Sequence, residues 1–159
     1  LAEDPALIVV APDIADPGNA GTLIRLADAM GAAAVIFAGD AVDPFNGKCV
    51  RSSAGSIFAV PVLAEPDTVG LIDRLRAAGL QVLATTLDGD LTLDDAQPML
   101  SARTAWLFGS EAHGLAEEAA ARADHRIVIP MAGAVESLNV AAAAAICLYQ
   151  SARAQRHAG

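Results

Sequence analysis

Short runs of apolar residues alternate along the chain with longer stretches whose apolar positions recur at helical spacing. The short runs predict buried strands over residues 7–11, 34–37, 60–63, 81–85, 104–108 and 126–129. The longer stretches predict helices over residues 20–30, 48–53, 68–78, 116–123 and 139–153. Because the strands are apolar throughout and helices separate them, we predict an α/β fold with a mostly parallel sheet flanked by helices.

Composition indicates which residues build the core and in which cell compartment the protein is expected. Hydrophobic residues make up 54% of the chain but aromatic residues only 4%, so Val, Ile, Leu and Ala must build the core. The length of 159 residues fits one domain, and we assign residues 1–159 to it. No apolar run approaches the ~20 residues that span a membrane, so no membrane partner is predicted. Cys49 and Cys147 lack a CxxC pattern, which favours reduced thiols and a cytoplasmic protein.

The charge balance argues against a simple nucleic-acid-binding domain. The formal net charge is -9, whereas such domains usually carry a basic face. The charges are unevenly spread, however, because Arg25, Lys48 and Arg51 lie in the first third of the chain. Acidic residues concentrate in residues 88–95 and 117–124. A local basic surface is therefore compatible with the acidic total.

The first polar motif, DPGNAGTLIR over residues 16–25, is a turn that runs into a helix. Asn19 stands where a helix N-cap is expected, and its side chain could accept hydrogen bonds from free backbone N–H groups. Arg25 follows six residues later, inside the helix. Taken alone, this motif predicts no more than a capped helix with one exposed arginine.

Two further motifs follow later strands. The segment LFGSEAHGL, residues 107–115, is a strand that breaks into a glycine-bounded polar loop containing Glu111. The segment IPMAGAVESLNV, residues 129–140, ends at a helix that Ser137 or Asn139 can cap. Ordinary strand-to-helix turns explain each motif separately, although capping does not explain so long a loop of small residues. His113 has no partner at metal-ligand spacing, so we predict no metal site.

Several common templates are missing from the sequence. There is no GxGxxG, no GxxxxGK[ST] and no GxSxG pattern. A flavodoxin-like or nucleotide-using enzyme on an open sheet would fit the alternation of strands and helices. The missing phosphate-binding patterns count against that alternative.

In their order and spacing, these motifs and the segment KCVRSSAGS, residues 48–56, resemble the SpoU (TrmH) family of RNA ribose 2′-O-methyltransferases. The resemblance runs from about Leu7 to Gln150. It implies the SPOUT fold with a C-terminal deep trefoil knot, S-adenosyl-L-methionine as methyl donor, RNA as partner and no metal. It also implies a homodimer whose active site is completed across the interface.

The resemblance further implies which residues act. The catalytic positions of the family are matched by Asn19, Arg25, Glu111, Ser137 and Asn139. The positions that hold the methyl donor are matched by Thr85, Gly109, Ile129, Met131 and Leu138. A guanidinium stays protonated to a pKa above ~12, so Arg25 is better suited to binding a phosphate and stabilising an alkoxide than to acting as a base. Ala112-His113 departs from the residues that the family often has there.

The target RNA is open at this point. Likeness of residues 48–56 favours ribosomal RNA over transfer RNA. A catalytically inactive SPOUT-fold protein that only binds RNA is a further alternative, which the acidic charge motivates. Because the chain begins at Leu1, we expect an RNA-binding domain upstream that this sequence does not include.

Overall fold

The computed structural model describes residues 5–159 and consists of one seven-stranded sheet with helices on both faces. The strands, β1 to β7, are Leu7–Pro12, Ala34–Ala38, Val62–Glu65, Gln81–Thr85, Leu91–Thr92, Thr104–Leu107 and His125–Val128. The helices, α1 to α5, are Pro17–Ala29, Gly47–Ser52, Thr68–Ala77, Glu117–Arg122 and Val140–Ala158. The strand order is β3-β2-β1-β6-β4-β7-β5, and every pair is parallel. The predicted fold class is confirmed.

Successive residues of each strand enter opposite halves of the core, because side chains alternate across a sheet. Val9 packs into the cluster that contains residues of α1 and α5, whereas Ile8 and Val10 pack into the cluster that contains residues of α3. Within the first cluster, the Trp106 Nε1–H donates to Ser151 Oγ at 2.9 Å, and both residues are fully buried. This hydrogen bond fixes α5 against the sheet.

Helix α2 packs closely on the first turns of α1. The Ser52 hydroxyl donates to the Pro17 carbonyl oxygen at 3.3 Å. A Cβ atom on Gly21 would collide with Ser52 and with the Cys49 carbonyl oxygen, so only glycine fits between these helices. The close contact places the end of α2 against the first turns of α1.

Strand β7 lies between β4 and β5, although β4 and β5 follow each other in the chain. The link over residues 86–90 must therefore pass across β7. A Cβ atom on Gly89 would collide with the Arg126 carbonyl oxygen and lie 2.8 Å from Val128 Cγ2. Asp90 Oδ1 accepts a hydrogen bond from the Arg126 N–H at 2.7 Å and ties the link down. Strand order does not test threading, so the trefoil knot stays a prediction.

The N-cap expected at Asn19 is wrong. Asp16 caps α1, and its carboxylate accepts a hydrogen bond from the Gly18 N–H at 2.8 Å. Pro17 takes the first helical position, where its missing N–H and fixed φ suit a helix start. Asn19 is therefore the third residue of the helix, and its side chain is available for other contacts.

Other boundaries moved for identifiable reasons. Helix α5 continues to Ala158, beyond the predicted end at residue 153, and Gln155 Nε2 donates to the Ala6 and Ala102 carbonyl oxygens. A short 3₁₀ helix over Ser56–Phe58 delays β3 until Val62.

No helix within residues 5–159 has the length and apolarity to cross a membrane. The expectation of an upstream RNA-binding domain depends on Leu1, which lies outside the residues that the structure describes.

Candidate active site

The three motifs meet at one edge of the sheet. Each follows a parallel strand, so the segments after β1, β6 and β7 all leave from the carboxyl ends of their strands. Ligands of open α/β sheets bind beyond these ends. The fold therefore places the predicted functional residues where such sheets bind ligands.

Glu111 connects the first two motifs. Its carboxylate accepts hydrogen bonds from the Asn19 side-chain amide at 3.2 Å and from the backbone N–H groups of Ala15 and Asp16 at 3.4 and 3.3 Å. These backbone groups precede α1, where a negative charge is favourable near a helix N-terminus. No local pattern indicates that Ala15 and Asp16 are partners of Glu111, because they lie 96 and 95 positions away in the chain. Glu111 thus fixes the position of Asn19.

Asn139 adds the third motif. Its Nδ2 donates to Asn19 Oδ1 at 3.4 Å, although the two residues are 120 positions apart in the chain. Its Oδ1 accepts from the Ala141 N–H at 2.8 Å and caps α5, which confirms one of the two caps considered. The amide therefore serves the helix with one atom and the site with the other. Glu111, Asn19 and Asn139 form one hydrogen-bonded series, which we call the carboxylate–amide network.

A tight loop presents Glu111 to this network. Ser110 and Gly114 exchange two backbone hydrogen bonds of 3.2 and 3.0 Å across the loop. A Cβ atom on Gly109 would collide with the backbone of Gly114 and Leu115. The departure from the family at Ala112-His113 falls on exposed residues at the tip of this loop. Within residues 5–159, no group of three or more His, Cys, Asp or Glu residues could hold a metal ion.

Arg25 and Ser137 are not joined to the network within one chain. Arg25 is exposed on α1, and six helical residues separate it from Asn19 by about 9 Å along the axis and about 120° around it. Ser137 is exposed two residues before Asn139. Over residues 5–159, no hydrogen bond or ion pair involves either side chain. Within the described part of the chain, both side chains are therefore open to solvent.

Three of the residues predicted to hold the donor come from strands that are neighbours in the sheet. Thr85 ends β4, Gly109 lies just beyond β6, and Ile129 follows β7, while β6, β4 and β7 are adjacent. Met131 and Leu138 are half-buried in the segment that joins β7 to α5. The structure therefore assembles these segments along one continuous stretch of the sheet edge.

The two threonines at the end of β4 differ in their hydrogen bonding. The Thr85 hydroxyl donates to the Leu107 carbonyl oxygen at 3.2 Å. The Thr86 Oγ1 is buried and has no hydrogen-bond partner among the residues that the structure describes. Buried hydroxyl groups are normally paired, so an orphaned one at a ligand-binding edge is consistent with a polar ligand there.

Nine of the ten Lys and Arg residues fall into two groups by location, and Arg103 lies outside both. Those of α3, α4 and β7 form ion pairs with nearby acids, namely Arg74–Glu65, Arg76–Asp124, Arg122–Asp73 and Arg126–Glu117. Those of α1, α2 and α5 have no ion pair within residues 5–159, namely Arg25, Lys48, Arg51, Arg153 and Arg156. The net negative charge therefore does not describe the α1–α2–α5 side of the molecule.

The two cysteines are not reactive groups of the candidate site. Cys49 and Cys147 are both buried and free. Burial raises the pKa of Cys147 to about 12 and also raises the pKa of Cys49. Because the thiolate is the nucleophilic form, neither thiol is reactive at neutral pH.

Comparison with known proteins assigns the chain to a family. Residues 6–149 match the model of the SpoU rRNA Methylase family, so the chain belongs to this family. It is 40% identical over 151 residues to the 23S rRNA (uridine(2479)-2'-O)-methyltransferase of Streptomyces viridochromogenes. This match covers 90% of this chain and 50% of that protein. It is 38% identical over 136 residues to the 23S rRNA (guanosine(2553)-2'-O)-methyltransferase RlmP of Bacillus subtilis, covering 86% and 54%.

A solved structure agrees with this assignment. The SpoU methyltransferase AviRb from Streptomyces viridochromogenes, crystallised with its cofactor AdoMet, superposes with a TM-score of 0.86 at 38% identity. The match covers 96% of this chain and 61% of that chain. The chain spans about half the length of the curated relatives it matches.

Proposed function

We propose that this chain transfers the methyl group of S-adenosyl-L-methionine to a ribose 2′-hydroxyl of ribosomal RNA in the cytoplasm. The observation that carries the proposal is the carboxylate–amide network at the sheet edge of a SpoU-family chain. Relatives named as 23S rRNA methyltransferases favour ribosomal RNA over transfer RNA. The unpaired cations of α1 and α2 suit a polyanionic substrate.

The donor fits the segments at the ends of β6, β4 and β7. Residues from all three segments would hold it: Thr85, Gly109, Ile129, Met131 and Leu138. The orphaned Thr86 hydroxyl supports a polar ligand at this place. When bound, S-adenosyl-L-methionine supplies a methyl group that its sulfonium already activates, so the reaction needs no metal.

The chain's own residues then bind and orient the acceptor. Glu111 holds Asn19 and, through it, Asn139, so the two amides keep fixed positions next to the ribose. Ser137 offers an exposed hydroxyl to the same nucleotide. Arg25 binds a phosphate bidentately and stabilises the negative charge that develops on the 2′-oxygen, while that phosphate or a water molecule takes the proton of the hydroxyl. Fixed positions and electrostatics of this kind supply most of the acceleration.

A homodimer is part of this proposal. Arg25 lies on a different face of α1 from Asn19, so one chain alone does not bring its guanidinium to the carboxylate–amide network. A second copy of the chain can supply Arg25 to the site of the first. Sedimentation equilibrium of the purified chain tests the dimer directly.

The central experiment uses tritiated S-adenosyl-L-methionine with purified 23S rRNA and, in parallel, bulk transfer RNA. We expect label in 23S rRNA at a 2′-O position that resists alkaline hydrolysis. Arg25→Ala should lose about 100-fold or more in rate, in the range reported for groups that stabilise developing charge. The matched control is Arg74→Ala, an exposed arginine paired with Glu65 away from the site, which should keep the rate.

Three results would count against the proposal in different ways. Full activity of Arg25→Ala would contradict the role given to Arg25. Label confined to transfer RNA would replace ribosomal RNA as the substrate. No calorimetric binding of S-adenosyl-L-methionine would favour the alternative of an inactive SPOUT-fold protein that only binds RNA.

A further inference from the structure

Phe45 is an exposed aromatic residue at the same edge of the sheet as the candidate site. It lies in the segment that leaves the carboxyl end of β2 and enters α2, and 65% of its surface is exposed. Single exposed apolar residues are common on proteins, so exposure alone indicates nothing. What distinguishes Phe45 is how the chain holds it and what surrounds it.

The backbone on both sides of Phe45 is held by hydrogen bonds. The Phe45 N–H donates to Asp43 Oδ1 at 2.9 Å, and the Asn46 N–H donates to the Asp43 carbonyl oxygen at 3.2 Å. Asn46 Oδ1 caps α2 by accepting from the Lys48 and Cys49 N–H groups at 3.0 and 3.1 Å. The ring is therefore presented to solvent on a fixed backbone, which lowers the entropy cost of a contact.

Two cations of α2 that form no ion pair within residues 5–159 bring their side chains toward the start of this helix. Lys48 extends across the start of α1, since a Cβ atom on Gly18 would lie 3.8 Å from Lys48 Cε. Arg51 folds back toward the start of α2, since a Cβ atom on Gly47 would lie 3.1 Å from Arg51 Nη1. Phe45, Lys48 and Arg51, which we call the α2 platform, thus combine a ring with two positive charges.

The α2 platform is next to the candidate site because α2 packs on the start of α1. Lys48 approaches Gly18, the residue before Asn19. The Ser52 hydroxyl holds α2 to the Pro17 carbonyl oxygen, two residues before Asn19. A strand whose ribose reaches the carboxylate–amide network would therefore extend over α2.

We propose that Phe45 stacks on a base of the RNA strand next to the methylated nucleotide, while Lys48 and Arg51 bind the phosphates on either side. This inference rests on the proposed function and adds the residue that holds a neighbouring base. Unstacked bases of single-stranded RNA stack on aromatic side chains, and cations bind the backbone beside them. A second copy of the chain is a poorer occupant, because an apolar contact would take two unpaired cations out of water.

The test compares Phe45→Leu with Phe45→Trp, measured by fluorescence anisotropy with a labelled fragment of 23S rRNA. Leucine keeps an apolar side chain but removes the π-face, so the Kd should rise about 5- to 100-fold, as for loss of one base–aromatic stack. Tryptophan should keep the affinity. The matched control is Phe58→Leu, because the Phe58 side chain is also exposed, to 86%. It lies two residues after Ser56, whose hydroxyl donates a hydrogen bond to Asp28 at the far end of α1.

The expected pattern also includes the salt dependence of binding. Lys48→Ala should lower the slope of log Kd against log salt concentration by about 0.7, the value for one single-strand phosphate contact. An unchanged Kd for Phe45→Leu would overturn the inference. So would a Phe45→Leu chain that changes from dimer to monomer in sedimentation, because the ring would then face a second copy.

Failure of the proposed function gives a different result. The anisotropy assay needs no methyl transfer, so it tests the α2 platform even if the chain proves inactive. A wild-type chain that transfers no methyl group, yet loses RNA affinity on Phe45→Leu, would refute the enzyme and support the platform. An active wild-type chain whose Phe45→Leu variant binds RNA normally would support the enzyme and refute the platform.

Discussion

Replacing Gly109 by alanine tests whether the loop after β6 shapes the donor site. The new Cβ atom would collide with the backbone of Gly114 and Leu115 and lie 2.9 Å from Gly114 Cα. These are backbone atoms, so no flexible side chain can move away. The loop from Gly109 to Leu115, which carries Glu111, would have to shift by about 1 Å to bring its closest backbone atoms to ordinary van der Waals contact near 3.4 Å.

The size of the effect follows from the cost of overpacking. Forced contacts of this kind cost about 1–3 kcal/mol. A domain of this length loses about 2–4 °C of Tm for each kcal/mol, so the Tm should fall by about 2–12 °C. Because a misplacement near 1 Å can cost about 100-fold in rate, we expect methyl transfer to fall about 10- to 100-fold.

Gly133→Ala is the matched control for the effect of this substitution on stability. Gly133 lies in the segment between β7 and α5, and nothing lies within 4 Å of a Cβ built on it. Alanine there should leave the Tm unchanged or raise it, because it restricts the unfolded chain. Thermal unfolding and calorimetric titration with S-adenosyl-L-methionine measure both variants. Gly109→Ala with the Tm and donor Kd of the wild type would refute the reasoning.

Two further predictions concern stability. Ser151→Ala removes the acceptor of the buried Trp106 N–H and should lower the free energy of unfolding by about 1–3 kcal/mol, measured by urea denaturation. A loss below about 0.5 kcal/mol, which is the range of neutral surface substitutions, would contradict this prediction. The hydrogen bond from the Arg126 N–H lowers the pKa of Asp90 from its usual value, so Asp90 stabilises the fold above the unfolded pKa of about 3.9 and loses this effect as pH falls through the lower folded value. The stability gap between wild type and Asp90→Asn should therefore close below about pH 4, and a gap that is constant from pH 7 to 3 would oppose this.

Local sequence patterns were sufficient for most of the fold. The apolar run at residues 81–85 became β4 with the predicted limits, and the helix predicted over residues 68–78 became α3, which Asp67 caps by accepting from the Gly70 N–H at 2.9 Å. Leu91–Thr92 was missed because a strand of two residues is too short to show alternation. Its pairing depends on β7, more than thirty residues later, and no local pattern carries that information.

The site was predicted by resemblance rather than by periodicity. Asn19 was first interpreted as a cap because amides favour that position, whereas Asp16 and Pro17 fulfil the role. The contact between Asn19 and Glu111 joins residues 92 positions apart, which spacing along one helix cannot indicate. The Thr86 hydroxyl was missed because its lack of a partner depends on the packing around it.

The position of β7 between β4 and β5 also has a consequence for the order of folding. Within residues 5–159, β5 pairs only with β7, so it has no strand partner there until residues 125–128 have been made. A ribosome adds about 5–20 residues per second, which leaves β5 and the 86–90 link waiting for seconds during synthesis. The sheet edge that carries the segments proposed to hold the donor is thus completed late, and a nascent chain that pauses before residue 125 would be unable to assemble this edge.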